Sequence, residues 1–126
     1  MKRYDPLKSP DPEEWLALDE AERIVIVEDY HRRKRIRMPS VEAHACFHVM
    51  VENQIAMGEK LPVESKLNQL MEEGLDRHEA VHAIASILSR QVYYALKRQQ
   101  TSDPSKAYYA ALEDLTAENW LRSGED

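Results

Sequence analysis

The stretch His78-Glu79-Ala80-Val81-His82 sets two imidazoles one helical turn apart, with a carboxylate between them. Residues i and i+4 of a helix project from the same face, so both rings can reach one zinc ion. The intervening glutamate can then act as general base on a metal-bound water. A second pair with the same spacing, His44 and His48, stands earlier in the chain, with Glu52 one further turn along. The four imidazoles His44, His48, His78 and His82 could surround one ion between two helices, with Glu52 or Glu79 as an oxygen ligand. Such an imidazole-rich donor set suits zinc or another divalent transition metal.

Hydrolysis needs more than the two histidines and the glutamate. A hydrolase reading makes His78, His82 and one of His44 or His48 the ligands, with Glu79 or Glu52 as base. Three features weigh against it. Asp76-x-x-Glu79 has the pattern of a helix capping box, which would occupy the Glu79 carboxylate at the backbone. The motif opens its helix with the charged pair Asp76 and Arg77 ahead of it, where zinc proteases carry uncharged residues. No His-x-x-Gly-x-x-His extension follows, since Ala83 to Leu88 are apolar or small. A di-iron site of the ferritin-like kind would need Glu-x-x-His on two helices, and only Glu79-x-x-His82 supplies one. The bland alternative is a set of neutral, hydrogen-bonded rings at the edge of a core. Each ring must then find a partner, because an unpaired buried polar group is costly.

The elements that position these residues are helices. Helix-start signals recur: Asp11-Pro12-Glu13-Glu14, the capping box Asp19-x-x-Glu22, Ser40, Pro62, Asp76, Asp103-Pro104 and Thr116. They predict a short helix through Trp15 and others over 20–33, 41–57, 63–73, 77–98 and 104–115, with a final turn around Trp120. Gly58 and Gly74 close two of them. No run alternates apolar and polar residues long enough for a strand. The expected fold is an all-α, single-domain bundle of five to seven helices with short connections over residues 1–126. Residues 1–11 are expected to be loosely ordered, and 103–126 to form a helical extension packed on the core. On the helix over 41–57, Val41, Phe47, Val51 and Ile55 share one side around His44 and His48, while Glu42, Cys46, Val49 and Asn53 face away. On the helix after Asp76, Val81, Ile84, Leu88, Val92 and Ala95 form the apolar stripe, with His78 and His82 on its flank.

Composition narrows the function classes. The 126 residues suit one domain that buries roughly two thirds of its unfolded surface. Hydrophobic content of 43% with 32% charged residues is that of a soluble globular chain. The apolar run Ile24 to Val27 is too short to cross a bilayer, so no membrane partner is expected. Prolines and acids follow the first basic residues where a secretory signal would be apolar. The single cysteine, Cys46, excludes an internal disulfide and suits a reducing cytoplasm. A net charge of −6 disfavours non-specific nucleic-acid binding. The basic run from His31 to Arg37 nevertheless offers Arg32, Arg33, Lys34, Arg35 and Arg37 as a candidate contact for an anionic polymer, set against its reading as a solvated helix end. No aromatic residues interleave it as stacking platforms. Tyr93, Tyr94, Tyr108, Tyr109 and Trp120 read as packing residues with polar tips, and an exposed patch among them would suit a homodimer or another protein partner. Gly-rich phosphate loops, a nucleophile elbow and Cys-x-x-Cys pairs are lacking.

Three blocks carry a resemblance: Glu22 to His31, then His44 with His48-Val49-Met50-Val51-Glu52-Asn53-Gln54-Ile55-Ala56, then Glu73 to Ile84 around His78-Glu79-Ala80-Val81-His82. Together they resemble a small bacterial family of uncharacterised helical proteins over residues 13 to 98. That resemblance implies a cytoplasmic helical protein and assigns no catalytic role to any residue. The residues read as a non-catalytic helical interaction module, with a His-rich divalent metal site as a candidate feature beside the reading of neutral core histidines. A zinc-dependent hydrolase using residues 78–82 and an anionic-polymer binder using 32–37 stand as alternatives.

Overall fold

Side-chain caps at Asp11, Asp19, Ser40, Asp76 and Thr116 start helices where the sequence predicts them, while Asp103 lies outside the described residues. The computed structural model describes residues 3–34, 40–97 and 104–123. At the head of α1 (Pro12–Ala17) Asp11 accepts from the Glu14 N–H, with proline in the first turn. Asp19 and Glu22 form a reciprocal capping box at the start of α2 (Glu20–Arg33). Ser40 caps α3 (Val41–Ala56) through the Ala43 N–H, and Asp76 caps α5 (Arg77–Leu96) through the Glu79 N–H. Between them lie a 3₁₀ turn at Gly58–Lys60 and α4 (Val63–Glu72). α6 (Pro104–Asp114) and α7 (Ala117–Ser123) complete the bundle. The described residues therefore form seven α-helices and no strand, the all-α class expected.

Glycines end two of these helices. Gly74, at φ 113°, follows α4. Its N–H bonds the Met71 carbonyl while the Leu75 N–H reaches back to Leu70, the paired bonds of a Schellman motif. Leu70 and Leu75 also share the same apolar cluster, the hydrophobic contact that accompanies this motif. Gly58, at φ 64°, follows the C-cap Met57 of α3 in the left-handed region.

α3 is the central element, packed against α1, α2, α4 and α5. It contributes to two apolar clusters. Val51 and Ile55 join α4, α5, α6 and α7 in the larger one, which includes Leu67, Leu70, Ile84, Leu88, Leu112 and Trp120. Ala45 and Val49 join Tyr4, Trp15, Val27 and Tyr30 in the smaller one. At about 100° per residue, the row 44–48–52 runs between those two faces. His48 and Glu52 are consequently fully buried at the seam of the two clusters.

One expectation changes. Val49, read as facing away from the core, is buried, and Asn53 beside it is half-buried. α1 and α2 cover that side: Asn53 Oδ1 accepts from Trp15 Nε1 at 2.9 Å and from Arg23 Nη1 at 3.0 Å. Ahead of α1, Tyr4 and Pro6 lie against the core. Tyr4 is 1% exposed, its ring packed against Trp15, Tyr30 and His48, and the Pro6 carbonyl accepts from Arg77 at 2.9 Å. Aromatic burial and one charged hydrogen bond hold them there.

Candidate metal centre

Three helices bring all five histidines of the chain to one place. His31 comes from the last turn of α2, His44 and His48 from α3, and His78 and His82 from the first turns of α5. His31, His48, His78 and His82 each offer one ligand nitrogen, and these four atoms all lie within 4.8 Å of one another. Tetrahedral zinc–imidazole bonds of about 2.1 Å would place the nitrogens about 3.4 Å apart. His44 stands at the edge of this group. Its Nε2 lies 3.0 Å from His82 Nε2, and its ring is 4.6 Å from that of His31.

Burial leaves the rings neutral, which is the form that binds metal. Desolvation, aided by neighbouring imidazoles, holds His82 to a pKa of about 3 and His44 to about 4. His78 is likewise at about 4, chiefly through desolvation. His48 lies well below the ordinary histidine value and His31 below it, both mainly from burial. The Nε2 atoms of His31, His48 and His78 are buried and make no hydrogen bond. Orphaned buried nitrogens carry a desolvation cost that a coordinated ion would remove.

The opposite ring nitrogens of His31 and His48 are held. His31 Nδ1 donates to the Val27 carbonyl, one turn back on α2, at 2.8 Å. His48 Nδ1 lies 3.1 Å from the Tyr4 hydroxyl, and Tyr4 in turn donates to Glu52. Arg77 closes the chain with two bonds to Glu52, at 2.7 and 2.8 Å, in a fully buried pair. Hydrogen bonds of this kind orient a ligating imidazole and fix its tautomer.

Neither carboxylate nominated from the sequence joins the four nitrogens. Glu52 is engaged by Arg77 and Tyr4, one hydroxyl removed from His48. Glu79 points toward α7, where its Oε1 accepts from Trp120 Nε1 at 2.6 Å. An i, i+1 pair on a helix is turned by about 100°, so Glu79 and His78 face different neighbours. Sequence reasoning missed His31, because the basic residues after it drew it into a surface reading. Its signal was present: Val27, Tyr30 and His31 fall at i, i+3 and i+4 on the buried face of α2. Tyr4 carried no such signal, since it precedes every helix.

Residues 9–114 match a family described as a domain of unknown function, DUF1841. The chain belongs to the DUF1841 family. The matched region holds all five histidines together with Glu52 and Arg77, while Tyr4 and α7 lie outside it. No curated protein and no solved structure matches the chain. Elsewhere on this DUF1841 chain, Arg32 pairs with Glu28 and Glu42 at 3.4 and 3.6 Å, and Arg33 with Asp29 at 2.9 Å. Lys34 is the C-cap of α2, and Arg35 and Arg37 lie outside the described residues. Cys46 is exposed. Of the C-terminal aromatics, Tyr108 and Trp120 are buried, whereas Tyr93 and Tyr94 are exposed. Among the described residues, no helix is long and apolar enough to cross a membrane.

Proposed function

We propose that this DUF1841 chain is a metal-binding helical module that holds one divalent transition-metal ion through His31, His48, His78 and His82. The observation that carries this reading is the convergence of four imidazole nitrogens within 4.8 Å of one another. The buried, unpaired Nε2 atoms of three of those rings support it. All-imidazole donors favour zinc, nickel, copper or ferrous iron over magnesium or calcium, which prefer oxygen. The ion would join α2, α3 and α5, so its first effect is to fasten three helices. With the Glu79 carboxylate bound to Trp120, the arrangement favours a structural or sensing ion over hydrolysis. His44 is the reserve ligand, close enough to His82 to exchange with it.

The test is metal analysis of gently purified protein followed by Co(II) titration of the stripped form. One ion per chain and the intense visible bands of tetrahedral cobalt are expected, and both should disappear in a His31→Ala, His48→Ala double variant. Protein that takes up no Co(II), or takes it up unchanged in that variant, would overturn the reading.

A further inference from the structure

We propose that Tyr4 is a positioning residue of the metal centre, setting how tightly the ion is held by fixing the tautomer of His48. The inference rests on the metal-binding reading above and names the residue that tunes it. Arg77 donates to both oxygens of Glu52, and Glu52 accepts from the Tyr4 hydroxyl as well, so the carboxylate faces Tyr4 as an acceptor. The single Tyr4 proton is spent on Glu52, so at His48 the Tyr4 oxygen can only accept. His48 Nδ1 must then carry the ring proton, and the lone pair is left on Nε2, the buried atom without a partner. The relay runs from Arg77 through Glu52 and Tyr4 to His48, and from there to the ion.

His31 has its own tautomer fixed by the Val27 carbonyl, a neutral and local group. Tyr4 supplies something different. It places a carboxylate one hydroxyl away from a ligand ring, which raises the basicity of that ring and offsets part of the charge of a dication held by neutral donors. Tyr4 itself is fastened by its ring contacts with Trp15 and Tyr30 and by the nearby bond from Arg77 to Pro6. Tyr4, ahead of α1, thus belongs to the centre.

Two measurements decide the matter. In the metal-free protein, ¹⁵N chemical shifts of the His48 ring should show a protonated Nδ1 and a bare Nε2; a proton on Nε2 overturns the proposal without any variant. Tyr4→Phe keeps the ring and removes the hydroxyl. It should weaken Co(II) binding by about 10- to 100-fold, shift the cobalt visible spectrum and give a mixed His48 tautomer. The exposed Tyr93→Phe control should match the parent in all three. If Tyr4→Phe folds, by circular dichroism, and binds Co(II) with parental affinity and spectrum, Tyr4 has no positioning role and the metal site stands. If the parent binds no Co(II), the metal-binding reading fails and the proposal falls with it. Should Tyr4→Phe not fold, the His48 tautomer in the parent decides alone.

Discussion

At His82 desolvation comes first, and the rings of His78 and His44 add to it, so the imidazole stays neutral down to a pH of about 3. The same holds near pH 4 for His44 and His78. An unfolded histidine titrates at about 6.5, so between 6.5 and 4 the unfolded chain binds protons that the folded one refuses. Stability of the metal-free protein is therefore full above about pH 6.5 and is lost as the pH falls toward 4. Urea unfolding in the presence of chelator should show a loss of at least about 2 kcal/mol between pH 7.5 and 5, the linkage of one such histidine. A flat profile would mean that the rings are solvated and the cluster is open. A fifth histidine, on α2, shows where the sequence misled. His31 reads as the first letter of a cationic run, yet its ring is fully buried, because Val27 and Tyr30 on the same face of α2 draw it inward.

Between α4 and α5 the chain reverses through Gly74, whose φ of 113° lies where an L side chain is strained. A Cβ there would meet no atom within 4 Å, so the cost of a substitution is purely one of backbone conformation. Gly74→Ala should lower the unfolding free energy by at least about 1 kcal/mol, with the denaturant slope unchanged. Gly58→Ala, at φ 64° and with equally open surroundings, should lower it by less, since that region is open to other residues at modest cost. Equal losses at the two sites would contradict the conformational account. The glycine stops and the Asp and Ser caps were all legible in the sequence, because capping chemistry is local. The two-sided burial of α3 was not. Periodicity marks one apolar stripe, and the burial of Val49 depends on α1 and α2 arriving over the opposite face.

For the whole molecule, an ion at the centre would tie together α2, α3 and α5, three helices from separate stretches of the chain. Binding to the folded chain only should add about 2.7 kcal/mol when free zinc is about 100 times its dissociation constant. In a thermal melt this is a rise on the order of 10 °C, reversed by chelator and much reduced in His31→Ala. An unchanged melt would separate the imidazole cluster from metal binding. By itself the sequence determined the all-α class, the helix starts and stops, and the two His-x-x-x-His pairs, since each depends on residues within about one turn of one another. Only the tertiary structure decided that His31 joins those pairs, that Glu52 and Glu79 turn to Arg77 and Trp120, and that Tyr4 stands behind His48. The contacts of Glu52, Glu79 and Tyr4 link residues 25 to 48 positions apart. Side chains so distant meet according to how the helices pack, which no local pattern encodes.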